Sequence, residues 1–191
     1  MKIQTLAIPE VLLITPDILG DERGYFCETF RSSALQQFTK HKIEFVQDNE
    51  SRSAQGVLRG LHYQLPPFAQ SKLVRVTEGQ IWDVAVDVRQ GSPTFGKFVA
   101  AELSCVNKQQ LFVPRGFAHG FVVLSEFATV SYKVDNYYSP EHDRGIHFKD
   151  PALNINWPLP ASQLILSKKD TQQPLLAQSG TAFTYSQALY E

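Results

Sequence analysis

The chain has 191 residues, 43% hydrophobic and 19% charged, with 18 Lys and Arg against 19 Asp and Glu for a formal charge of −1. That length favours one domain with a core large enough to stand without disulfides, and the composition excludes a disordered chain. The near-neutral balance argues against nucleic acid or an anionic membrane as the main partner, and Cys27 and Cys105 are too few for a disulfide framework.

Short alternating runs follow one another at 11–15, 25–30, 57–64, 72–77, 81–88, 111–113, 121–124 and 128–136. Turn signals separate them, among them Asp21-Glu22-Arg23-Gly24, Pro66-Pro67, Glu78-Gly79, Gly91-Ser92-Pro93 and Pro114-Arg115-Gly116. Many short strands between such turns predict an all-β sandwich or barrel. Two short helices flank them. Ser32 is placed to cap one running through Leu35 to Phe38, and Ser167-Lys168-Lys169-Asp170 resembles a capping box opening a short C-terminal helix. Residues 151–191 begin Pro-rich (Pro151, Pro158, Pro160) and are expected as a tail packed on a single domain spanning 1–191. The opening Met1-Lys2-Ile3-Gln4-Thr5 has no signal-peptide core and no apolar run is long enough for a bilayer, so a cytoplasmic protein without a membrane partner is expected.

Residues two apart on a strand share a face. Trp82, Val84, Val86 and Val88 therefore form one apolar face, with Asp83 and Asp87 on the other. Lys72 falls in line with Val74 and Val76, Tyr132 with Val130 and Val134, and His119 with Phe121 and Val123. His62 and Gln64 share a face with Leu58 and Gly60. Singly these read as a snorkelling edge lysine, a core tyrosine and hydrogen-bonded buried groups. Four together in one barrel read as proton-transfer equipment. A metal site is not expected. His62 and His119 would need further convergent ligands, but the next residue on the His62 face is Gln64 and the following strand offers Lys72, whose ammonium repels a cation. The same ammonium would favour an enolate.

Several ordered motifs resemble the dTDP-4-dehydrorhamnose 3,5-epimerases of the cupin superfamily. They are Gly20-Asp21-Glu22-Arg23-Gly24, Phe45-Val46-Gln47-Asp48-Asn49, Gly56-Val57-Leu58-Arg59-Gly60-Leu61-His62-Tyr63-Gln64, Lys72-Leu73-Val74-Arg75, Ser92-Pro93-Thr94-Phe95-Gly96, Pro114-Arg115-Gly116-Phe117-Ala118-His119-Gly120-Phe121, Tyr132-Lys133, Asn136-Tyr137-Tyr138-Ser139-Pro140 and Leu166-Ser167-Lys168-Lys169-Asp170. The resemblance implies a cupin-type jelly-roll barrel, a homodimer, no cofactor, and a nucleotide-sugar substrate inverted at C3 and C5. It implies His62 as general base with Asp170 orienting it, Tyr132 as general acid, and Lys72 beside the C4 oxygen. It implies substrate contacts from Arg23, Phe26, Glu28, Gln47, Asn49, Arg59, His119, Asp143 and Lys169, with Tyr138 stacking on thymine. The family usually carries glutamate near residue 143, where this chain has Asp143 with Glu141 close by.

The residue types suit that chemistry. Epimerisation beside a ketone needs a base, an acid on the opposite face, and a group that stabilises the enolate. Histidine titrates near neutrality, and a carboxylate on its other nitrogen fixes its tautomer. Arginines suit a pyrophosphate because they are forked and always charged. Arg59 has the opposite parity to His62. Either a bulge near Gly60 breaks the alternation, or Arg59 serves a neighbouring subunit's site.

Overall fold

Two antiparallel sheets lie face to face around the core in this computed structural model, which describes residues 1–181 and 183–190. In chain order the strands are β1 (Lys2–Thr5), β2 (Leu12–Thr15), β3 (Ile18–Asp21), β4 (Gly24–Cys27), β5 (Gln47–Ala54), β6 (Leu58–Gln64) and β7 (Lys72–Glu78). They continue as β8 (Gln80–Asp87), β9 (Phe98–Ser104), β10 (Gln110–Val113), β11 (Phe117–Val123), β12 (Phe127–Val134) and β13 (Asp143–Gly145), with one helix, α1 (Ser32–Thr39), after β4. One sheet has the order β1-β2-β10-β7-β12-β5 and the other β13-β6-β11-β8-β9, while β3 and β4 pair only with each other. The expected all-β jelly roll is present. It is an open sandwich, because the two sheets share no paired edge strands.

Val74, Val76, Leu111 and Val130 from one sheet meet Ile81, Ala85, Leu103, Phe121 and Val123 from the other, all buried. The apolar face of β8 points elsewhere. Val84, Val86 and Val88 pack outward under Leu153, Leu176 and Phe183, and Trp82 meets Trp157 edge-to-face at 5.4 Å between centroids. The tail thus covers the outer face of the five-stranded sheet, and both faces of β8 are buried. Asp83 and Asp87 lie on the other face, as the alternation places them, and both are 0% exposed, with Ile81 and Ala85 beside them on the inner side. Asp87 accepts hydrogen bonds from Arg89, Ser92 and Thr94.

α1 buries Leu35 against Leu12, Ile14, Leu73 and Phe112 on the outside of the six-stranded sheet. Ser32 does not cap it. Arg31 occupies the cap position without a side-chain bond, and Ser32 is already the first helical residue. At Ser167 the capping geometry does form: Asp170 N donates to Ser167 Oγ at 3.1 Å, and that hydroxyl donates to Asp170 Oδ2 at 2.8 Å. The expected helix is only a single 3-10 turn, Asp170–Gln172. No helix among the described residues is long and apolar enough to cross a membrane.

Candidate active site

A cavity of about 380 Å³ opens between the sheets, lined by Arg59, His62, Lys72, His119, Phe121, Tyr132, Lys169 and Asp170 among others. β6 and β11 run antiparallel with His62 directly opposite His119. Beyond that pair the register slips: the two steps from His119 to Phe121 face the three from His62 to Arg59. The extra residue is a β-bulge, which resets the alternation so that Arg59 and His62 line one cavity. Glycine is required at its centre. Gly60 has φ +143°, and a Cβ there would sit 2.6 Å from the Gly120 Cα. Of the two explanations for Arg59, the bulge is the one realised. Arg59 Nε donates to Ser53 Oγ at 3.1 Å.

His62 Nε2 lies 2.5 Å from Asp170 Oδ1. Burial acts to raise the Asp170 carboxyl, but the hydrogen bonds from His62 and Ser167, with the Lys169 charge, outweigh it and hold the group below the ordinary carboxylate range. Asp170 therefore stays ionised behind His62. Facing it from the other sheet is Tyr132, at the register position between Val74 of β7 and Asn49 of β5. Burial raises its phenol above the usual value, so it remains a proton donor at neutral pH. Lys72 is on the same sheet as Tyr132, at the start of β7, opposite Val134 of β12 and Val113 of β10. Burial lowers its ammonium to about 8, against the pull of Asp143 and Asp83. Burial also lowers the His119 imidazole, which holds Asp83 Oδ1 at 2.7 Å.

A second recess shares His62, Lys72 and Tyr132 and extends to Gln47, Asn49, Tyr138 and Asp143. Gln47 Nε2 donates to Asn49 Oδ1 at 2.8 Å, and Tyr138 OH donates to Asp143 Oδ2 at 3.1 Å. Lys169 pairs with the same carboxylate. Gln64 is occupied structurally: its amide donates to Phe68 O at 2.7 Å and accepts from Ser139 N at 2.7 Å. Among the described residues, no group of three or more His, Cys, Asp or Glu is placed to hold a metal ion.

A model of the dTDP-4-dehydrorhamnose 3,5-epimerase family matches residues 5–178. The chain belongs to this family. The dTDP-4-dehydrorhamnose 3,5-epimerase of Pseudomonas aeruginosa is 55% identical over 172 residues, covering 90% of this chain and 94% of the relative. The solved structure of the Legionella pneumophila 3,5-epimerase in complex with dTDP-4-keto-L-rhamnose is 50% identical, with a TM-score of 0.88 and 93% of each chain covered. A 3'-monoepimerase from Streptomyces bikiniensis in complex with dTDP-quinovose shares the fold at 32% identity and a TM-score of 0.85, over 91% of this chain and 87% of that one.

Within one chain, then, the epimerase gathers His62, Lys72, Tyr132, Asp170, Arg59, His119, Lys169, Gln47, Asn49, Tyr138 and Asp143 around two adjoining recesses. It does not bring Arg23, Phe26 and Glu28 there. They belong to the β3–β4 hairpin and the residue after it, where Arg23 pairs with Asp21 and Glu28 with Arg31. The hairpin stands apart from both sheets, with Ile18, Leu19, Tyr25 and Phe26 between 49% and 68% exposed. Sequence reasoning missed Asp83 as the partner of His119. Its signal was an acid inside a strand whose neighbours are otherwise apolar. It also missed Ser167 as a partner of the Asp170 carboxylate, for which the capping-box pattern was the available clue.

Proposed function

We propose that this epimerase converts dTDP-4-dehydro-6-deoxy-D-glucose to dTDP-4-dehydro-L-rhamnose by proton abstraction and return through an enolate, acting as one domain with no metal or cofactor. The observation that carries the reading is the placement of His62 and Tyr132 on opposite sheets across one cavity, which Lys72 also lines from the Tyr132 side. His62 Nε2 is engaged by Asp170, so the ring is oriented and its imidazolium is stabilised once it has taken a proton. Charge then moves to the C4 oxygen, where the Lys72 ammonium stabilises it. Tyr132, kept protonated by burial, returns a proton from the other face of the ring. Lys72 and the committed Gln64 amide stand where a cation would need ligands, which supports a route without metal.

Arg59 and Lys169 suit the pyrophosphate, and Tyr138, exposed at the mouth, suits stacking on the base. Arg23, Phe26 and Glu28 complete the site from the second subunit of a homodimer, delivered by the protruding hairpin. The test is incubation with dTDP-4-dehydro-6-deoxyglucose in D2O. Deuterium at both C3 and C5 of the product is expected. Deuterium at one position only would make the protein a single-position epimerase, a reading disfavoured by 55% identity to a 3,5-epimerase against 32% to a monoepimerase.

A further inference from the structure

Asp83 is costly to the fold. It lies on β8, opposite Ala101 of β9 and Phe121 of β11, and is completely buried. Its Oδ1 meets His119 Nε2 at 2.7 Å. Its Oδ2 is the single buried side-chain polar atom without a hydrogen-bond partner among the described residues. A half-satisfied buried carboxylate is destabilising, and an apolar side chain of similar size would serve the core better. Stability therefore does not account for it, and its one contact points to the cavity.

That contact settles where the proton of His119 sits. Asp83 acts on both Lys72 and His119 as a negative charge, and a carboxylate in that form only accepts, so Nε2 carries the hydrogen. Burial lowers the His119 imidazole, and the nearby Lys72 and His62 add to this against Asp83, so the ring is neutral near pH 7. A neutral ring protonated on Nε2 has its lone pair on Nδ1. No protein partner takes that atom among the described residues, and the ring lines the cavity beside Lys72. An acceptor at this point does not stabilise an enolate oxygen, which needs donors. It is matched to a hydroxyl, which a hexose supplies.

We infer that Asp83 is a positioning residue that fixes, through His119, the imidazole tautomer whose Nδ1 accepts a hydrogen bond from a hydroxyl of the hexose. The inference rests on reading the cavity as a nucleotide-sugar site. It divides the polar work there: Lys72 donates to the ketone oxygen, and His119 tests for a hydroxyl beside it.

Nitrogen-15 NMR of histidine-labelled wild-type protein near pH 7 is the direct test, with His119→Asn assigning the signals. The Nε2–H pattern of a neutral ring is expected. Added dTDP-glucose should move the Nδ1 resonance, whereas dTDP, which lacks the hexose, should not. An Nδ1–H ring, an imidazolium, or an equal response to both nucleotides would overturn the inference. In Asp83→Asn the amide can donate to Nε2 and release the proton to Nδ1. Loss of kcat/KM on the order of tenfold, mainly through KM, is expected for one hydrogen bond left unmade. Unchanged kcat/KM in the folded variant would overturn it equally. If Asp83→Asn does not fold, the wild-type spectra decide alone. Failure of the deuterium experiment would remove the proposed reaction and leave the tautomer result standing, so the two failures are distinguishable.

Discussion

At the scale of single residues the division of labour predicts two separable defects. Tyr132→Phe removes the acid but leaves His62 and Asp170 in contact across their 2.5 Å hydrogen bond. Carbanion formation should continue while reprotonation from the opposite face fails. Solvent deuterium should then enter the recovered substrate faster than product forms, and NMR of the sugar protons distinguishes this from equal loss of both. Lys72 predicts the alkaline limb of activity. Its ammonium is lowered to about 8 by burial, so the protonated form that would stabilise an enolate is lost as pH rises through that value. Tyr132 is raised, not lowered, and does not titrate there. The limb in kcat/KM should fall about tenfold per pH unit above it. Lys72→Arg should abolish that limb even though its rate is lower, because a guanidinium keeps its charge; a limb near 8 that survives in Lys72→Arg would have another owner. The in-strand parity of Lys72 and Tyr132 is legible in the sequence because each is one polar side chain in an apolar row. The His62–Asp170 pair is not legible from spacing, since 108 positions separate its members and only the folded tail joins them. Family resemblance supplies it.

At the scale of elements the bulge in β6 decides whether Arg59 and His62 can share a cavity. Gly60→Ala would place a methyl 2.6 Å from Gly120 Cα at a φ of +143°, which side chains avoid. Either the residue strains by about 1–3 kcal/mol or the bulge is lost and Arg59 turns away. Both Tm and kcat/KM should fall. Gly91→Ala is the matched control: it also has positive φ, but a Cβ there meets nothing within 4 Å. It should lower Tm and leave kcat/KM unchanged. Calorimetry and steady-state kinetics on the two variants separate backbone strain from site geometry. The opposite parities of Arg59 and His62 make a bulge one of two readings that the sequence itself allows. Polar edge strands leave no such trace. β5 reads Gln-Asp-Asn-Glu-Ser-Arg-Ser-Ala from Gln47 to Ala54, with no apolar row, and its pattern does not announce a strand. Sequence reasoning missed β1 and β9 as well. The outward packing of the β8 valines escapes it for a different reason. Alternation shows that a face is apolar but not which layer covers it, and here the tail is a layer of its own.

At the scale of the whole molecule, one chain leaves its β3–β4 hairpin without a partner sheet. Leu19 is 67% and Phe26 68% exposed on it, an apolar surface that a second copy would bury. The same hairpin carries Arg23, and Glu28 follows it. If the partner receives these side chains, each catalytic cavity is built from His62, Lys72, Tyr132 and Asp170 of one chain and Arg23, Phe26 and Glu28 of the other. Complementation follows from that geometry. Arg23→Ala and His62→Ala subunits should each be nearly inactive as homodimers. In a mixed dimer, the cavity containing the His62→Ala lesion also receives the Arg23→Ala hairpin, so both defects fall in one site. The other cavity has His62 from the Arg23→Ala chain and Arg23 from the His62→Ala chain, and is intact. Mixing under conditions of subunit exchange should restore up to about a quarter of wild-type activity: half the dimers are mixed at equal input, and each has one working site of two. Differently tagged subunits, isolated as the mixed species, should show about half of wild-type kcat with unchanged KM. Activity absent from the isolated mixed dimer would mean that each site is complete within one chain, and sedimentation as a monomer at assay concentration would remove the partner altogether.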